Sequence, residues 1–297
     1  MSGDDGAGDV RRVALVGTGR MGAAMARRLR DAGFEVIAYN RTREKAEAVA
    51  DTVAATPREA AAGARTVLVS LADDAAVTET YGGDDGIAAG LRAGSVVLET
   101  STIAPETVSA LHTLVDKTGA SLLDTPVSGS VSFVEQGRLT VLAGGSAEAL
   151  EQARPVLDAL ATRVFHLGDS GSGAAMKLAV NSVVHALNQA LSEALVLAER
   201  AGVPRESAYE VFAASAAGAP FVSYKKDAYL HPDDTPVAFT LELVAKDLDL
   251  ILGLAERVGA PMQQAYVNGR LARGAAEAGF GERDLSAMAE FLRSGHA

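Results

Sequence analysis

In Val13-Ala14-Leu15-Val16-Gly17-Thr18-Gly19-Arg20-Met21-Gly22 an apolar run enters a glycine-rich turn, and this turn is the strongest indication of the fold. A helical pattern follows, Ala23-Ala24-Met25-Ala26-Arg27-Arg28-Leu29. Gly17 permits a tight turn, Gly19 lets the backbone approach a pyrophosphate, and Gly22 lets the helix pack closely on the strand. We predict a Rossmann-type dinucleotide-binding unit; a methyltransferase fold and a purely structural glycine turn are the alternatives. The expected cofactor contacts in the turn are Gly17, Thr18, Gly19, Arg20, Met21 and Gly22.

The chain divides into two halves by pattern. Residues 10–168 alternate short β-branched runs with helical stretches, which is typical of a doubly wound parallel sheet with helices on its faces. The predicted strands are 12–16, 34–39, 66–71, 95–99, 121–124, 139–143 and 164–167. The predicted helices of the second half are 174–201, 205–216, 239–258 and 261–278. We expect a flexible tail over residues 1–9, a dinucleotide-binding domain over 10–168 and an all-helical domain for substrate binding and dimerisation over 169–297.

Composition limits the classes of partner. The 297 residues include 27 Lys and Arg against 38 Asp and Glu, which gives a net charge of −11. This charge repels nucleic acid and anionic lipid, so neither is expected as a partner. No apolar run reaches the roughly 18 to 20 residues that a membrane span needs. The sequence contains no cysteine, which removes disulfides and thiolate chemistry and favours a cytoplasmic location.

The end of the second predicted strand bears on cofactor choice. An acidic residue at this point accepts hydrogen bonds from a ribose 2′-OH and repels a 2′-phosphate. The chain has the neutral Asn40 there, followed by Arg41, Thr42 and Arg43. Because a guanidinium pairs with phosphate, this pattern favours NADP over NAD, with Asn40, Arg41 and Thr42 as contacts. The alternative is that the two arginines are a solvated pair at a helix start.

A polar stripe marks the first long helix of the second half. An α-helix turns by about 100° per residue, which places five residues of this helix on one narrow face. This face is polar but almost uncharged. They are Lys177, Asn181, His185, Asn188 and Ser192. We expect this face to be partly buried or to line a cleft, with Lys177 as a functional residue. The alternative is a lysine that extends to solvent from a helix between domains, with Asn181 hydrogen-bonded locally.

Four segments, taken in order, resemble the β-hydroxyacid dehydrogenases, the group that includes 3-hydroxyisobutyrate dehydrogenase. They are Gly17 to Gly22, Asp124-Thr125-Pro126-Val127-Ser128-Gly129, Gly171 to Asn181, and Lys246-Asp247-Leu248-Asp249-Leu250. The resemblance covers nearly the whole chain. It implies that Ser128 and Gly129 hold the substrate, that Lys177 is the catalytic acid/base with Asn181 beside it, and that Lys246 lies over cofactor and substrate.

The resemblance also implies cofactor contacts from two further loops, through Leu71 and Ala72 and through Thr102. The alternative for Ser101-Thr102 is an ordinary N-cap before the helix that begins at Pro105. The family commonly has Ser-Gly-Gly and Asn-Asn where this chain has Ser128-Gly129-Ser130 and Asn181-Ser182. Ser130 is therefore expected to alter the substrate pocket.

The resulting expectation is an NADP(H)-dependent oxidoreductase. It moves hydride between nicotinamide and a small β-hydroxy acid or its semialdehyde or keto form, and Lys177 serves the reacting oxygen. An imine reductase and a non-catalytic NADP-binding interaction protein are the alternatives. The histidines show no metal-ligand spacing, so no metal is expected. The long helix is expected to pack against a partner subunit in a homodimer or homotetramer.

Overall fold

The computed structural model describes residues 11–295, so the tail predicted over residues 1–9 lies outside the described part. Two compact units are present, one ending at Lys177 and one beginning at Leu178. This division falls later than the boundary predicted at residue 168. The reason is that the start of the helix after that boundary belongs to the first unit, where Ala174 is part of the buried core. The boundary at 168 stays a prediction about the functional domains.

The first unit is built on a six-stranded parallel sheet with strand order β3-β2-β1-β4-β5-β6. This confirms the doubly wound α/β prediction. The strands are β1 Arg12–Val16, β2 Glu35–Tyr39, β3 Thr52–Val53, β4 Thr66–Val69, β5 Val96–Glu99 and β6 Ser121–Asp124. β3 was not predicted, because two residues are too short to show a pattern.

Both faces of this sheet are buried, as expected of strands that are apolar throughout. In β1, Val13 and Leu15 enter one core, and Ala14 and Val16 enter the core on the other face. Helices cover the two faces. They are α1 Arg20–Asp31, α2 Arg43–Glu47, α3 Pro57–Ala62, α4 Asp74–Tyr81, α5 Ile87–Gly90, α6 Pro105–Asp116, α7 Val131–Glu135 and α8 Ala147–Leu160.

A second, three-stranded sheet follows, with order β7-β8-β9. Its strands are β7 Val127–Ser128, β8 Leu139–Ala143 and β9 Ala161–His166. Two of the predicted strands therefore belong to this sheet and not to the large parallel one. The short β7, which was not predicted, pairs antiparallel with β8 and so reverses the chain after the edge strand β6.

The second unit is helical, as predicted, and the described part of it contains no strand beyond an isolated bridge between Thr240 and Asp284. The helix α9 Ser172–Arg200 runs into this unit from the first. The further helices are α10 Arg205–Ala214, α11 Pro220–Tyr224, α12 Lys226–Leu230, α13 Leu241–Val258, α14 Gln263–Ala275 and α15 Met288–Ser294. The short helices α11, α12 and α15 were not predicted.

A buried ion pair fixes the segment before α13. Lys225 Nζ donates to both carboxylate oxygens of Asp284 at 2.8 Å. Asp284 also accepts from the backbone amides of Ala238, Phe239 and Ser286. Burial by itself raises the pKa of Asp284, but the charge of Lys225 and these hydrogen bonds lower it. The Asp284 carboxylate thus accepts from Lys225 and from the backbone of the loop at Ala238 and Phe239. These bonds hold a loop that has no helix or strand of its own.

No helix among residues 11–295 is both long enough and apolar enough to cross a membrane. The cytoplasmic location stays a prediction.

Candidate active site

The glycine turn between β1 and α1 has the close packing that the sequence predicted. Gly17 has φ +95°, and a Cβ there would overlap the carbonyl oxygen of Ser70. A Cβ on Gly22 would overlap the carbonyl oxygen of Gly17. At Gly19, by contrast, an added Cβ meets nothing within 4 Å. Two glycines are therefore required by the protein's own packing, whereas Gly19 leaves the turn open on its outer side.

The start of α1 suits an anion. Its N-cap residue Gly19 has no side-chain cap, and no acidic residue stands in the first turn. The first amides of a helix have no intrahelical partners and carry partial positive charge. The buried hydroxyl of Thr18 also has no hydrogen-bond partner among the described residues. Open space at Gly19, unused amides and an unpartnered hydroxyl together fit the pyrophosphate of a dinucleotide.

The end of β2 is tied to this turn. Asn40 Oδ1 accepts from the amide of Thr18 at 2.9 Å, and Asn40 Nδ2 donates to the carbonyl of Thr42. Arg41 is exposed, whereas Arg43 pairs with Glu47 at 2.9 Å. Asn40, at the end of the strand, is therefore neutral and has a structural role. Of the two arginines, Arg43 is held by Glu47, and Arg41 is the exposed cation beside Asn40.

Two further loops lie at the same edge of the sheet. The amide of Leu71 donates to Ser101 Oγ at 2.9 Å, which joins the loop after β4 to the loop after β5. The N-cap of α6 is Ala104, with no side-chain cap, so the alternative of an N-cap at Ser101-Thr102 is wrong. The hydroxyl of Ser101 serves the loop contact instead. Ala72 is exposed and Thr102 half-buried at this edge.

Glu99 orients the second of these loops, and sequence reasoning gave it no role. Its Oε1 accepts from the amide of Ser101 at 2.8 Å and its Oε2 accepts from Tyr81 Oη at 2.9 Å. Burial raises the pKa of Glu99 to about 7, with a further contribution from the charge of Asp124, although the hydrogen bonds from Ser101 and Tyr81 lower it. A carboxyl group with a pKa near 7 is partly protonated at neutral pH.

The predicted substrate segment follows β6. Ser128 is half-buried in β7, and Gly129 has φ +136°, a conformation that favours glycine. Ser130 is the N-cap residue of α7, but it makes no side-chain cap. Its Oγ lies 2.9 Å from Ser132 Oγ. The extra hydroxyl at position 130 is therefore engaged with a neighbour in the following helix turn.

The polar stripe of α9 is buried from Asn181 onward, and Lys177 is half-buried. Its far end is structural: Asn188 donates to the carbonyl of Leu285 and accepts from Tyr229 Oη, and Ser192 lies within 3.1 Å of the same Tyr229 oxygen. The stripe is thus partly buried, as the sequence predicted, and the functional role expected of Lys177 does not extend to its far end. Only the part up to His185 stays a candidate for chemistry.

Asp247 on α13 gathers the remaining groups of the second unit. Asn181 Nδ2 donates to its Oδ2 at 2.6 Å, and His185 Nε2 lies 3.4 Å from the same oxygen. Lys246 Nζ lies 2.8 Å from its Oδ1. Burial alone would raise the pKa of Asp247, but the hydrogen bond from His185 and the charge of Lys246 lower it to about 2. Asp247 stays ionised at neutral pH and fixes the Asn181 amide.

Among residues 11–295 no cluster of three His, Asp or Glu side chains could hold a metal ion.

These features define a dinucleotide-binding oxidoreductase with a helical second unit, and the comparisons with known proteins name its family. Residues 12–168 match the model of the NAD binding domain of 6-phosphogluconate dehydrogenase. Residues 171–292 match the model for the NAD-binding region of NADP-dependent 3-hydroxyisobutyrate dehydrogenase. The chain belongs to the β-hydroxyacid dehydrogenase family and is an NAD(P)-dependent enzyme acting on CH–OH groups.

Individual relatives cover nearly the whole chain. A 3-sulfolactaldehyde reductase of Escherichia coli is 32% identical over 95% of this chain and 95% of its own length. The chloroplastic glyoxylate/succinic semialdehyde reductase 2 of Arabidopsis thaliana is 32% identical over 95% of this chain and 79% of its own length. A crystal structure of 3-hydroxyisobutyrate dehydrogenase from Salmonella typhimurium superposes with a TM-score of 0.87 at 28% identity, covering 94% of this chain and 99% of that one. An imine reductase from Pseudomonas sp., at 22% identity, TM-score 0.64 and coverage of 95% and 99%, shows the shared fold alone.

The glycine turn generates a paired prediction. Gly22→Ala forces a methyl group against the Gly17 carbonyl, so we expect a loss of stability of about 1 to 3 kcal/mol. Gly19→Ala should leave the fold intact, because the new methyl meets no protein atom, but it should weaken dinucleotide binding roughly tenfold or more by blocking amides that bind the anion. Thermal melts and fluorescence titrations with NADPH measure the two effects. Unchanged NADPH affinity in Gly19→Ala would contradict the assigned contact.

Proposed function

We propose that the protein is an NADP(H)-preferring reductase of the semialdehyde or keto form of a small β-hydroxy acid, with Lys177 as general acid/base. One observation carries the proposal: the half-buried Lys177 stands on α9 one turn before the buried Asn181, whose amide is fixed by Asp247. The dinucleotide-binding domain is assigned to residues 10–168 and the substrate domain to residues 169–297. The relatives named as aldehyde reductases support the direction of reduction.

The proton chemistry falls to Lys177. The chemistry that a bound nicotinamide would supply is hydride exchange with the carbonyl or carbinol carbon of the substrate. In reduction the Lys177 ammonium donates a proton to the oxygen, which completes the alcohol. In oxidation the neutral amine accepts the hydroxyl proton. The same nitrogen stabilises negative charge that develops on oxygen between these states.

Asn181 is proposed to orient groups at the reacting centre. Its Nδ2 is occupied by Asp247 Oδ2 at 2.6 Å, which determines the direction of the carboxamide. The carbonyl oxygen Oδ1 is then the atom that accepts a hydrogen bond from an ammonium or a substrate hydroxyl. A freely rotating amide would lose this selectivity, so the buried carboxylate contributes to the role of Asn181.

The carboxylate of the substrate is assigned to Ser128, Gly129 and Ser130, with Lys246 as a further cation toward cofactor and substrate. Gly129 offers a backbone amide in a loop that a larger residue would strain. Lys246 is paired with Asp247, which offsets its positive charge. Its proposed contribution is therefore a directed hydrogen bond more than net charge. The serine at position 130 replaces a glycine that the family commonly has, and it is expected to restrict the size of the substrate.

NADP is the proposed cofactor in preference to NAD. The neutral Asn40 does not repel a 2′-phosphate, and the exposed Arg41 supplies a partner for it, together with Thr42. The solved structure of Psf3, a relative, is a complex with NADP⁺. It is 26% identical to this chain, with a TM-score of 0.86, and the match covers 94% of this chain and 99% of that one. The loop residues Leu71, Ala72 and Thr102 are proposed to contact the same cofactor.

The helical unit is proposed to self-associate into a homodimer or homotetramer. Val183 and Leu197 are 67% and 71% exposed on one side of α9, two heptads apart. Val211 on α10 and Val258 on α13 are also exposed. Large apolar side chains at such exposure indicate a partner surface.

Light scattering should give a dimer or tetramer for the wild type and a smaller species for Val183→Glu/Leu197→Glu; a monomeric wild type would contradict the proposal.

Activity is tested with a panel of semialdehydes, β-keto acids and cyclic imines, followed by NADPH absorbance. We expect turnover of a carboxylate-bearing aldehyde or ketone and none of the imines, because an ammonium at the reacting centre opposes an iminium substrate. Turnover of imines alone would identify an imine reductase. NADPH binding without any turnover would indicate the non-catalytic alternative.

Lys177→Ala is measured beside the wild type with the best substrate of this panel. Loss of the positioned acid should lower kcat by roughly 10² to 10⁴-fold, while the Kd for NADPH stays close to that of the wild type. Lys117→Ala, which removes an exposed lysine at the end of α6, is the matched control and should keep full activity. A Lys177→Ala enzyme with most of its kcat would refute the assigned role.

Cofactor preference is tested by titrating wild type, Arg41→Ala and Arg43→Ala with NADPH and NADH. A hydrogen bond to a charged group contributes about 1.5 to 3 kcal/mol, so Arg41→Ala should weaken NADPH by roughly 10 to 100-fold, with solvent exposure favouring the lower end. NADH should change little. Arg43→Ala should have the smaller effect, because Glu47 already holds that guanidinium. Equal affinities of the wild type for both cofactors would contradict the preference.

A further inference from the structure

The first turn of α9 depends on a side chain from a distant strand. Asp124 is the last residue of β6 and is 1% exposed. Its Oδ1 accepts from the amide of Gly171 at 2.8 Å, and its Oδ2 accepts from the amide of Ala174 at 2.8 Å. No acidic residue stands in the first turn of α9 itself. The acceptor that a helix start needs therefore comes from β6.

Two glycines make room for this carboxylate. A Cβ on Gly144 would lie 2.6 Å from Asp124 Oδ1, and a Cβ on Gly173 would lie 2.9 Å from Asp124 Oδ2. Gly173 also approaches the carbonyl oxygens of Leu142 and Asp124 too closely for any side chain. The helix start is thus pressed against the ends of β6 and β8, and the carboxylate lies within that contact.

The same residue is anchored on its backbone side to the segment that holds the proposed substrate residues. The amide and carbonyl of Asp124 pair with Gly144 at 3.2 Å and 2.8 Å. After Asp124 the chain passes through Pro126, whose carbonyl accepts from Leu142, into β7, where Ser128 pairs with Thr140 of β8. Asp124 therefore links a framework of β6, β7 and β8 to the helix that carries Lys177 one turn after Ala174.

We infer that Asp124 is a positioning residue for Lys177, because its carboxylate holds the start of α9 against the strand framework that also bears Ser128. The inference rests on the proposed role of Lys177. A shift of about 1 Å in a catalytic group costs on the order of 10²-fold in rate. Both carboxylate oxygens of Asp124 are used by the amides of the helix start, so we expect its removal to act through the position of the lysine.

Asp124→Asn tests the inference, because it keeps the shape but sets an amide NH₂ group against a backbone N–H. Asp124→Ser, which introduces no NH₂ group but whose hydroxyl is one bond too short to replace the carboxylate, is the second variant. Ser146→Ala is the matched control: it removes the cap of α8, where Ser146 Oγ accepts from the amide of Ala149, in the same unit. We expect kcat to fall about tenfold to a hundredfold in both Asp124→Asn and Asp124→Ser. NADPH affinity should be unchanged in both, and Ser146→Ala should lower only the melting temperature.

A double-mutant cycle with Lys177→Ala separates positioning from general stability. If Asp124 acts through Lys177, Asp124→Asn should lower the residual rate of Lys177→Ala little or not at all. An equal loss in both backgrounds overturns the inference, as does normal kcat in Asp124→Asn. Failure of both Asp124 variants to fold while Ser146→Ala folds would make the residue a stability determinant and would also overturn it.

The proposed function fails on different observations. A wild type that turns over no member of the substrate panel, or a Lys177→Ala enzyme with wild-type kcat, contradicts the role of the lysine before Asp124 is considered. With both of those results as expected, the kinetics of the Asp124 variants bear on the positioning role alone.

Discussion

Backbone amides at the start of a helix need an acceptor that the helix cannot supply, and two helices of this chain differ in whether the protein supplies one. The first helix, Arg20–Asp31, begins after the open turn at Gly19 with no side-chain cap and no acid in its first turn. The long helix Ser172–Arg200 has the buried carboxylate of Asp124 instead. The first helix start has no side-chain acceptor, as an anion-binding site requires, whereas the second is fixed to the protein.

Buried carboxylates organise the groups that we propose for the chemistry of this acidic protein. Asp124 fixes a helix, Glu99 orients the loop at Ser101, and Asp247 holds Asn181 and Lys246. The charge state differs among them: Asp247 has a pKa of about 2, whereas Glu99 has a pKa of about 7. The first is a permanent anion at neutral pH. The second changes its protonation there, in direct contact with the loop that carries Thr102.

The sequence was sufficient for the parts of the fold that have a local pattern. Each of these parts could be predicted because its residues lie close together in the sequence. They are the turn Gly17 to Gly22, the alternation of strands and helices, and the polar stripe beginning at Lys177. The second sheet could not, because β7 has two residues and its pairing with β8 is a tertiary contact. The roles of Asp124 and Asp247 were missed for the same reason: their partners lie 47 and 66 residues away. Both aspartates lie in segments that resemble the family, Asp124 at the start of the segment with Ser128 and Asp247 next to Lys246, and this position was the only sign of their importance.

In the proposed reaction, hydride passes between nicotinamide and a carbonyl carbon while Lys177 protonates the oxygen. The most direct measurement is a single turnover with NADPH that carries deuterium at the transferred position, followed by mass spectrometry of the product of an acid-bearing aldehyde. The proposed reaction predicts one deuterium on the carbinol carbon with the wild type, and transfer at least about 10²-fold slower with Lys177→Ala at saturating cofactor. An alcohol without deuterium, or equal transfer rates in the two proteins, would contradict it.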